Sequence, residues 1–308
     1  MTVEIGYLLP TRENVMRGRP EAAPLLELGE RAEALGYASL WVGDSLMALP
    51  RHEPITLLAA VAARTARVAL GTAVLLPGWR NPAVLAHQLA TLDRIAEGRV
   101  ILGVGIASDI PTIRADFAAA GVPFEGRVGR LLEGLRLCRA LWSGAPVDWG
   151  GRWTVEDRVL GPTPARPGGP PIWIGGAVAA TVERVGRDFD GWLPNGPDPD
   201  AYRTIWGQMT ALARAGGRDP ARLTGAQYLT FAIDDDRDRA RRRLDDFMAE
   251  YYGARSEEMS RSPTCYAGPL AGARDLLAAY AEAGASHFVL RFAGDQHRHL
   301  DLCAGLGA

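Results

Sequence analysis

The residues best suited to chemistry follow the predicted strands of this sequence, and most of them are small. Asp44 and Ser45 end one predicted strand, where a carboxylate and a hydroxyl could orient a substrate or move a proton. Asp44 could equally cap the segment that follows it, and the sequence leaves both roles open. The other strand ends carry Pro10 and Thr11, Thr72, Ala73 and Val74, Gly105, Ile106 and Ala107, Gly175 and Gly176, Pro194 and Asn195, and Arg291.

Several kinds of catalysis are excluded or disfavoured by what the sequence lacks. All 34 basic residues are arginine, so no lysine amine is available for Schiff-base chemistry. The sequence has neither a G-x-S-x-G elbow nor a P-loop. Only the sequence HRH has a spacing that suits a metal, and without matching carboxylates we predict no metal site. The five histidines, which do not gather at predicted strand ends, are His52, His87, His287, His297 and His299.

The segment PPIWIGGAV, residues 170–178, indicates where a cofactor could be held. Gly175 and Gly176 end a predicted strand, and a predicted helix opens at Ala177. Glycines leave backbone N–H groups uncovered and the start of a helix is partially positive, so this turn suits a phosphate. A tight turn without a ligand would have the same sequence. Because the strand ends offer little acid-base or metal chemistry, we favour a bound cofactor as the source of reactivity.

Apolar strands alternate with helical patterns along the chain. Eight predicted strands are largely apolar, which indicates burial on both faces of a parallel sheet. They span residues 3–9, 37–44, 67–76, 99–106, 171–176, 191–195, 225–234 and 286–292. A Gly- and Pro-rich stretch at 143–171 predicts an inserted hairpin after the fourth helix, which spans 127–142. The sequence therefore predicts an α/β fold, a (β/α)8 TIM barrel, with an open doubly wound sheet as the alternative.

Composition and charge indicate which classes of partner the protein is not expected to bind. Hydrophobic residues make up 47% and charged residues 23% of the chain, and no apolar run is long enough to span a bilayer. The net charge of −2 and the scattered arginines predict no nucleic-acid partner. Without a signal sequence at the amino terminus, we expect a cytoplasmic protein with no membrane partner. Cys138, Cys265 and Cys303 lack a metal or redox spacing and are interpreted as incidental thiols.

Several segments, taken in order, resemble the bacterial-luciferase-like monooxygenase family. They are ALGYASLWVGDS, LAAVAARTARVALGTAVL, NPAVLAHQLATLDRIAEGRVILGVG, LLEGLRLCRALW, and PPIWIGG followed by DGWLP. The resemblance runs from residue 3 to residue 196, and the order and spacing of the segments carry it. It implies one luciferase-like TIM-barrel domain over residues 1–308 with an insertion at 143–171. It also implies a flavin-dependent oxidoreductase that binds reduced FMN or the deazaflavin coenzyme F420.

The resemblance also assigns roles to residues at matching positions. Asp44 and Ser45 would lie on the reactive side of the flavin ring. Where the family often has a serine, this chain has Ala177, so the phosphate would depend on backbone groups, Thr181 or a nearby arginine. The resemblance implies that Thr72, Ala73 and Val74 bind the cofactor beside the ring, often across a strained or cis peptide bond, and that Gly105, Ile106 and Ala107 flank the ring. It places Ile174, Gly175, Gly176 and Ala177 at the phosphate. It places Trp192 and Asn195 on the pocket wall.

Two departures from the family pattern bear on the reaction. Members that use F420 often have an Asp-His pair at the second strand and Gly-Glu after the fourth, whereas this chain has Asp44-Ser45 and GIASD. The acid-base pair for oxidising an alcohol is therefore missing, which favours FMN and disfavours alcohol oxidation. The leading hypothesis is a monooxygenase that uses reduced FMN and O2 on a small organic substrate. It would shield the reaction from water and receive reduced FMN from a separate flavin reductase.

Other functions remain open from the sequence. An F420-dependent enzyme on the same fold would transfer hydride to an alkene, an imine or a similar acceptor and would consume no O2. A non-catalytic flavin-binding barrel would hold the cofactor without turnover. A cofactor-free isomerase or lyase would use Asp44 as its general base. The family further implies a homodimer formed through apolar helix faces.

Overall fold

The chain forms a ring of parallel strands surrounded by helices. The computed structural model describes residues 3–252 and 264–307. Its strands are β1 (Glu4–Leu8), β2 (Ser39–Val42), β3 (Ala69–Thr72), β4 (Val100–Val104), β5 (Val147–Trp149), β6 (Val155–Arg158), β7 (Ile172–Ile174), β8 (Gly191–Trp192), β9 (Thr224–Ile233), β10 (Cys265–Gly268) and β11 (His287–Phe292). Its helices are α1 (Glu13–Met16), α2 (Ala23–Ala34), α3 (Pro54–Ala62), α4 (Pro82–Ile95), α5 (Pro111–Ala119), α6 (Arg127–Leu141), α7 (Ala179–Asp188), α8 (Pro199–Ala215), α9 (Arg237–Tyr252), α10 (Leu270–Glu282) and α11 (Gln296–Cys303).

Eight of the strands close into a barrel in the order β1, β2, β3, β4, β7, β8, β9, β11. The ring closes because β11 pairs with β1, where His287 lies opposite Glu4, and because β8 pairs with β9. All of these pairings are parallel. The predicted (β/α)8 barrel is therefore confirmed, and the alternative of an open doubly wound sheet is wrong. Strand β10 pairs with the second half of β9, beside the ring.

Burial on both faces explains why the barrel strands are apolar. Every residue of β2 and of β4 is buried. A large cluster joins the outer face of the strands to the helices, and a second cluster fills the interior of the barrel. Full burial of one large apolar side chain contributes roughly 1.5–3 kcal/mol. The interior cluster consists of Leu8, Trp41, Ile101, Trp173, Leu193, Ala226 and Val289.

Capping residues set where the helices begin and end, as α4 shows. In α4, the Asn81 side chain accepts the backbone N–H groups of Ala83 and Val84, and Pro82 occupies the first turn, where no N–H is needed. Gly98, with φ +80°, follows the helix end. Within the described parts of the chain, none of the helices combines the length and apolarity needed to cross a membrane.

Gly103 lies where β4 approaches β3 most closely. A Cβ atom at this position would overlap the Thr72 carbonyl oxygen, a backbone atom that cannot rotate away. We expect Gly103→Ala to lower the free energy of unfolding by about 1–3 kcal/mol, because overpacking would force the two strands apart. Thermal unfolding followed by circular dichroism measures the loss. The control is Gly207→Ala on the exposed face of α8, where an added Cβ meets no atom within 4 Å. Equal melting temperatures for Gly103→Ala and wild type would contradict the prediction.

The structure differs from the sequence prediction at three places. Helix α5 lies within residues 108–125, which the sequence assigns to a loop, because the buried Asp116 interrupts its short apolar face. Strand β10 is not predicted from the sequence, because it is only four residues long and has no strong apolar pattern. Helix α7 begins at Ala179, two residues later than predicted. The antiparallel pair β5 and β6 lies within the predicted insertion. The sequence also predicts a Pro- and Gly-containing connection over residues 253–269, of which 253–263 lie outside the described residues.

Candidate active site at the carboxyl ends of the strands

The carboxyl ends of the eight barrel strands meet at one end of the barrel, which is called the mouth here. Val74 lies there between two predicted site glycines. A Cβ atom on Gly105 would lie 2.6 Å from Val74 Cγ2, and one on Gly175 would lie 3.6 Å from Val74 Cγ1. The peptide bond between Ala73 and Val74 is cis, as the family resemblance predicts. The ends of β3, β4 and β7 therefore form one apolar surface, with two glycines that make room for Val74.

Two residues assigned to the cofactor site lie inside the barrel wall. The Thr72 hydroxyl is buried and donates to the Gly103 carbonyl oxygen at 2.7 Å, which joins β3 to β4. The side chain of Ile174, the last residue of β7, is fully buried in the main apolar cluster. These side chains stabilise the wall, and the residues that follow them reach the mouth.

The turn after β4 is anchored to α5 and α6. Ala107 has a φ of +21°, packs against Trp79 and Phe117, and accepts the Arg127 Nε–H through its carbonyl oxygen at 3.0 Å. Ile106 is half-buried and packs against the main apolar cluster. Gly105 is consequently the part of this turn that lies against Val74.

Asp44 is engaged by an ion pair that the sequence does not predict. Its two carboxylate oxygens lie 2.6 and 3.0 Å from Nη1 and Nη2 of Arg80, and one of them accepts the Leu76 backbone N–H at 2.8 Å. The Asp44 side chain is 2% exposed. This geometry favours the role of fixing the loop after β3 over that of a general base, because both oxygens already have donors. Direct orientation of a substrate by Asp44 stays a prediction.

The loop after β2 is held by Asp116, a residue that sequence reasoning missed. Its buried carboxylate accepts the backbone N–H groups of Leu46, Met47 and Ala48 at 3.0–3.3 Å. Ser45 Oγ accepts the Leu49 N–H at 3.0 Å, which leaves the serine hydrogen available to another acceptor. In the sequence, Asp116 lies at helical spacing with Ile113 and Phe117, and this spacing is the signal that could have identified it.

The turn between β7 and α7 leaves a run of backbone N–H groups without acceptors. Gly176 has a φ of +92° and is exposed with Ala177 and Val178. None of the amides from Gly176 to Ala180 donates to an acceptor among the described residues, and Val178 provides no side-chain cap. Free N–H groups at the positive end of a ten-residue helix, uncovered by side chains, fit a phosphate.

Trp192 supports this turn from inside the protein. Its indole N–H donates to the Gly176 carbonyl oxygen at 2.6 Å, and its ring lies 4.7 Å from that of Tyr202. The Trp192 side chain is 0% exposed, so it holds the glycine turn in place and does not form a pocket wall. Asn195 is exposed, and its carbonyl oxygen accepts the Thr264 N–H at 2.8 Å.

Three arginines gather at the mouth on the side of β11, β1 and β2. Arg12 follows β1, Arg51 lies in the loop after β2, and Arg291 belongs to β11. All three contact Tyr251 of α9. Burial lowers the pKa of the Arg12 guanidinium. Of the three, only Arg291 is among the strand-end residues that the sequence identifies; the charged pair Arg12-Glu13, directly after the first strand, is the signal that could have identified Arg12.

A cavity of about 920 Å³ lies at the other end of the barrel. Its lining includes residues that precede β7, β8 and β9, such as Arg166, Asp190 and Arg222. It is polar and open, and it contains none of the predicted site residues. Since chemistry in parallel barrels lies at the carboxyl ends of the strands, we do not assign the active site to this cavity.

One histidine of HRH, His299, is buried and used within the fold. The His299 Nε2 atom accepts the Ile233 backbone N–H at 3.0 Å, and Nδ1 lies 2.6 Å from the Asp295 carbonyl oxygen. Burial lowers the pKa of His299. No group of three histidine, cysteine, aspartate or glutamate side chains suited to a metal occurs among residues 3–252 and 264–307.

Residues 3–297 match the family described as luciferase-like monooxygenase. The chain therefore belongs to this family, as its ordered motifs predict. It is an enzyme of the flavin- or F420-dependent oxidoreductase class.

Individual relatives and solved structures are also similar to this chain. The chain is 32% identical over 247 residues to F420-dependent glucose-6-phosphate dehydrogenase 1 of Rhodococcus jostii, a match that covers 77% of this chain and 71% of the relative. Further F420-dependent glucose-6-phosphate dehydrogenases match over 52–65% of their length. An F420-dependent secondary alcohol dehydrogenase has a TM-score of 0.81 at 21% identity over 99% of this chain and 98% of its own. A monooxygenase from Streptomyces bottropensis has a TM-score of 0.81 at 21% identity over 98% of this chain and 97% of its own.

Proposed function

We propose that this chain is an F420-dependent oxidoreductase that transfers a hydride to a small organic acceptor. The similarity to F420-dependent enzymes at 32–36% identity carries the proposal. The two solved structures above include one F420-dependent enzyme and one monooxygenase at the same 21% identity, and they support the fold alone. F420 therefore replaces FMN, which the sequence favours, as the proposed cofactor. The missing Asp-His and Gly-Glu residues bear on which substrate reacts more than on which cofactor binds.

Two features of the mouth support binding of a deazaflavin that carries a phosphate. The uncovered amides from Gly176 to Ala180 would bind the phosphate, and the Trp192 bond to the Gly176 carbonyl would hold those amides in place. The apolar surface of Val74, Gly105 and Gly175 would support the ring. When bound, the reduced cofactor supplies the hydride. The protein contributes binding, orientation and exclusion of water.

The side chains at the mouth favour reduction of an acceptor over oxidation of an alcohol. Alcohol oxidation needs a base to remove the hydroxyl proton. The candidate carboxylate, Asp44, is occupied by Arg80 and the Leu76 amide. Ser45 could donate a hydrogen bond to a substrate oxygen or nitrogen, which suits polarisation of an alkene conjugated to a carbonyl, or of an imine.

Parallel titrations test the choice of cofactor. Apo protein is titrated anaerobically with F420 and FMN, each oxidised and reduced, and binding is followed by fluorescence. We expect F420 to bind at least about tenfold more tightly than FMN, a difference of about 1.4 kcal/mol. Tight binding of reduced FMN without binding of F420 would overturn the proposal and support the monooxygenase hypothesis.

Oxygen uptake separates the two reactions independently of affinity. An oxygen electrode should record no uptake above the cofactor blank with reduced F420 and an acceptor substrate. Uptake coupled to product formation with reduced FMN would support the second candidate. The use of O2, a separate flavin reductase and a homodimer remain predictions from the family resemblance.

A further inference from the structure

Arg12, Arg51 and Arg291 converge on one residue, Tyr251. Arg12 Cζ lies 4.2 Å and Arg291 Cζ 4.4 Å from the centre of the Tyr251 ring. Arg51 Nη2 donates to Tyr251 Oη at 3.2 Å. Three positive charges that belong to different parts of the sequence are therefore held together at the mouth. These three side chains are called the arginine cluster below.

The arginine cluster has no carboxylate partner among the described residues. Arg12 is 6% exposed, and its Nε and Nη1 atoms are buried without a hydrogen-bond acceptor. Arg291 is 2% exposed and, within the described part of the chain, donates to neutral oxygens, those of Thr230 at 2.9 and 3.2 Å and of Tyr252 at 3.1 Å. The buried Glu13 carboxylate accepts the backbone N–H of Arg12 and forms no ion pair with the cluster. The cluster thus presents an excess of positive charge.

Holding these positive charges together without an anion lowers the stability of the folded protein. An arginine stays charged when buried, so it cannot escape the loss of hydration by losing a proton. The contact with the Tyr251 ring returns only part of that loss, because a cation–π interaction is weaker than the penalty for removing an unpaired ion from water. Three guanidinium groups side by side, two of them buried, also repel one another. An oxyanion bound between them would supply the missing acceptors.

The arginine cluster and the glycine turn lie on opposite sides of the mouth. In the ring of eight strands, β7 stands four positions from β1, which places the Gly176 turn across the barrel from Arg12. Arg51 and Arg291 follow or belong to the neighbours of β1, which are β2 and β11. One phosphate cannot occupy both places. A cofactor whose phosphate lies at the glycine turn leaves the arginine cluster for another anion.

We propose that the arginine cluster binds an oxyanion group of the substrate, a carboxylate or a phosphate, and that the substrate of this enzyme is an organic anion. Guanidinium groups suit this task because their paired N–H donors match the oxygens of a carboxylate or phosphate. The inference rests on the proposed function, since it assigns a substrate class to the same site. The bound oxyanion would fix the acceptor beside the cofactor ring.

A thermal-shift titration of the apo enzyme tests the arginine cluster without turnover. The probes are inorganic phosphate and sulfate, with chloride at equal ionic strength as the reference. We expect phosphate to raise the melting temperature saturably, by about 5 °C at a hundredfold excess over its Kd. Arg12→Gln and Arg291→Gln should each reduce the affinity for phosphate at least about tenfold. The matched control is Arg203→Gln, which removes an exposed arginine of α8 and should keep the full shift.

Two further readouts separate this proposal from a purely structural role and from the cofactor proposal. Without phosphate, Arg12→Gln should melt at or above the wild-type temperature, because it removes a buried charge that has no partner. F420 should bind Arg12→Gln with an affinity within about twofold of wild type. Absence of protection by phosphate, or equal protection of wild type and Arg12→Gln, would each overturn the proposal. Failure of F420 to bind, with phosphate protection intact, would overturn the cofactor proposal alone.

Discussion

Replacing Arg80 with alanine is expected to lower the free energy of unfolding by about 3–5 kcal/mol, the range for breaking a buried ion pair by removing one partner. The reason is that Asp44, with a 2% exposed side chain, would lose both arginine contacts and be left buried without a cation. Only the Leu76 N–H would remain as a donor. The melting temperature should fall by about 5–10 °C, measured by calorimetry.

Two variants control this prediction. Arg203→Ala breaks an exposed pair with Asp200 and should change stability by less than about 1 kcal/mol. The double change Arg80→Met with Asp44→Asn removes both charges and keeps an oxygen that can accept the Leu76 N–H. It should recover at least half of the stability lost in Arg80→Ala. A single variant as stable as wild type would show that the pair does not hold the loop after β3.

The same double variant tests the role of Asp44 in catalysis. If Asp44 only fixes the loop, restored stability should bring restored turnover. If its carboxylate orients the substrate directly, turnover should remain low in a stable protein. The comparison of melting temperature with kcat therefore distinguishes a positioning residue from one that touches the substrate.

Replacing Gly176 with valine is expected to weaken F420 binding by about tenfold to a hundredfold. A β-branched residue is strained at a φ of +92°, at a cost of about 1–3 kcal/mol, so the turn would rotate away from this conformation. Rotation would break the bond between Trp192 and the Gly176 carbonyl and redirect the free amides at the start of α7. Fluorescence titration with F420 measures the loss.

A glycine in the neighbouring loop provides the matched control. Gly196 follows β8, has no positive φ, and an added Cβ would meet no atom within 4 Å. Gly196→Val should therefore bind F420 as wild type does. The arginine cluster lies across the mouth, so Gly176→Val should keep its thermal protection by phosphate. Unchanged F420 affinity in Gly176→Val would exclude the glycine turn as the phosphate site.

The sequence alone determined the fold and the family of this protein. Strands with continuous apolar runs, each followed by a helix, leave few architectures other than a closed parallel barrel, because both faces of every strand must be buried. The pair Gly175 and Gly176 also located the turn at the end of β7. These features are local or periodic, so a single sequence displays them directly.

Only the tertiary structure decided which side chains meet at the mouth. Asp44 pairs with Arg80 across 36 residues of sequence, and Arg51 reaches Tyr251 across 200. Nothing in the local pattern of either residue indicates its partner, because closure of the barrel sets which strand ends become neighbours. The charge of the mouth follows from the same closure, since arginines that look solvated in the sequence become buried together when β11 pairs with β1.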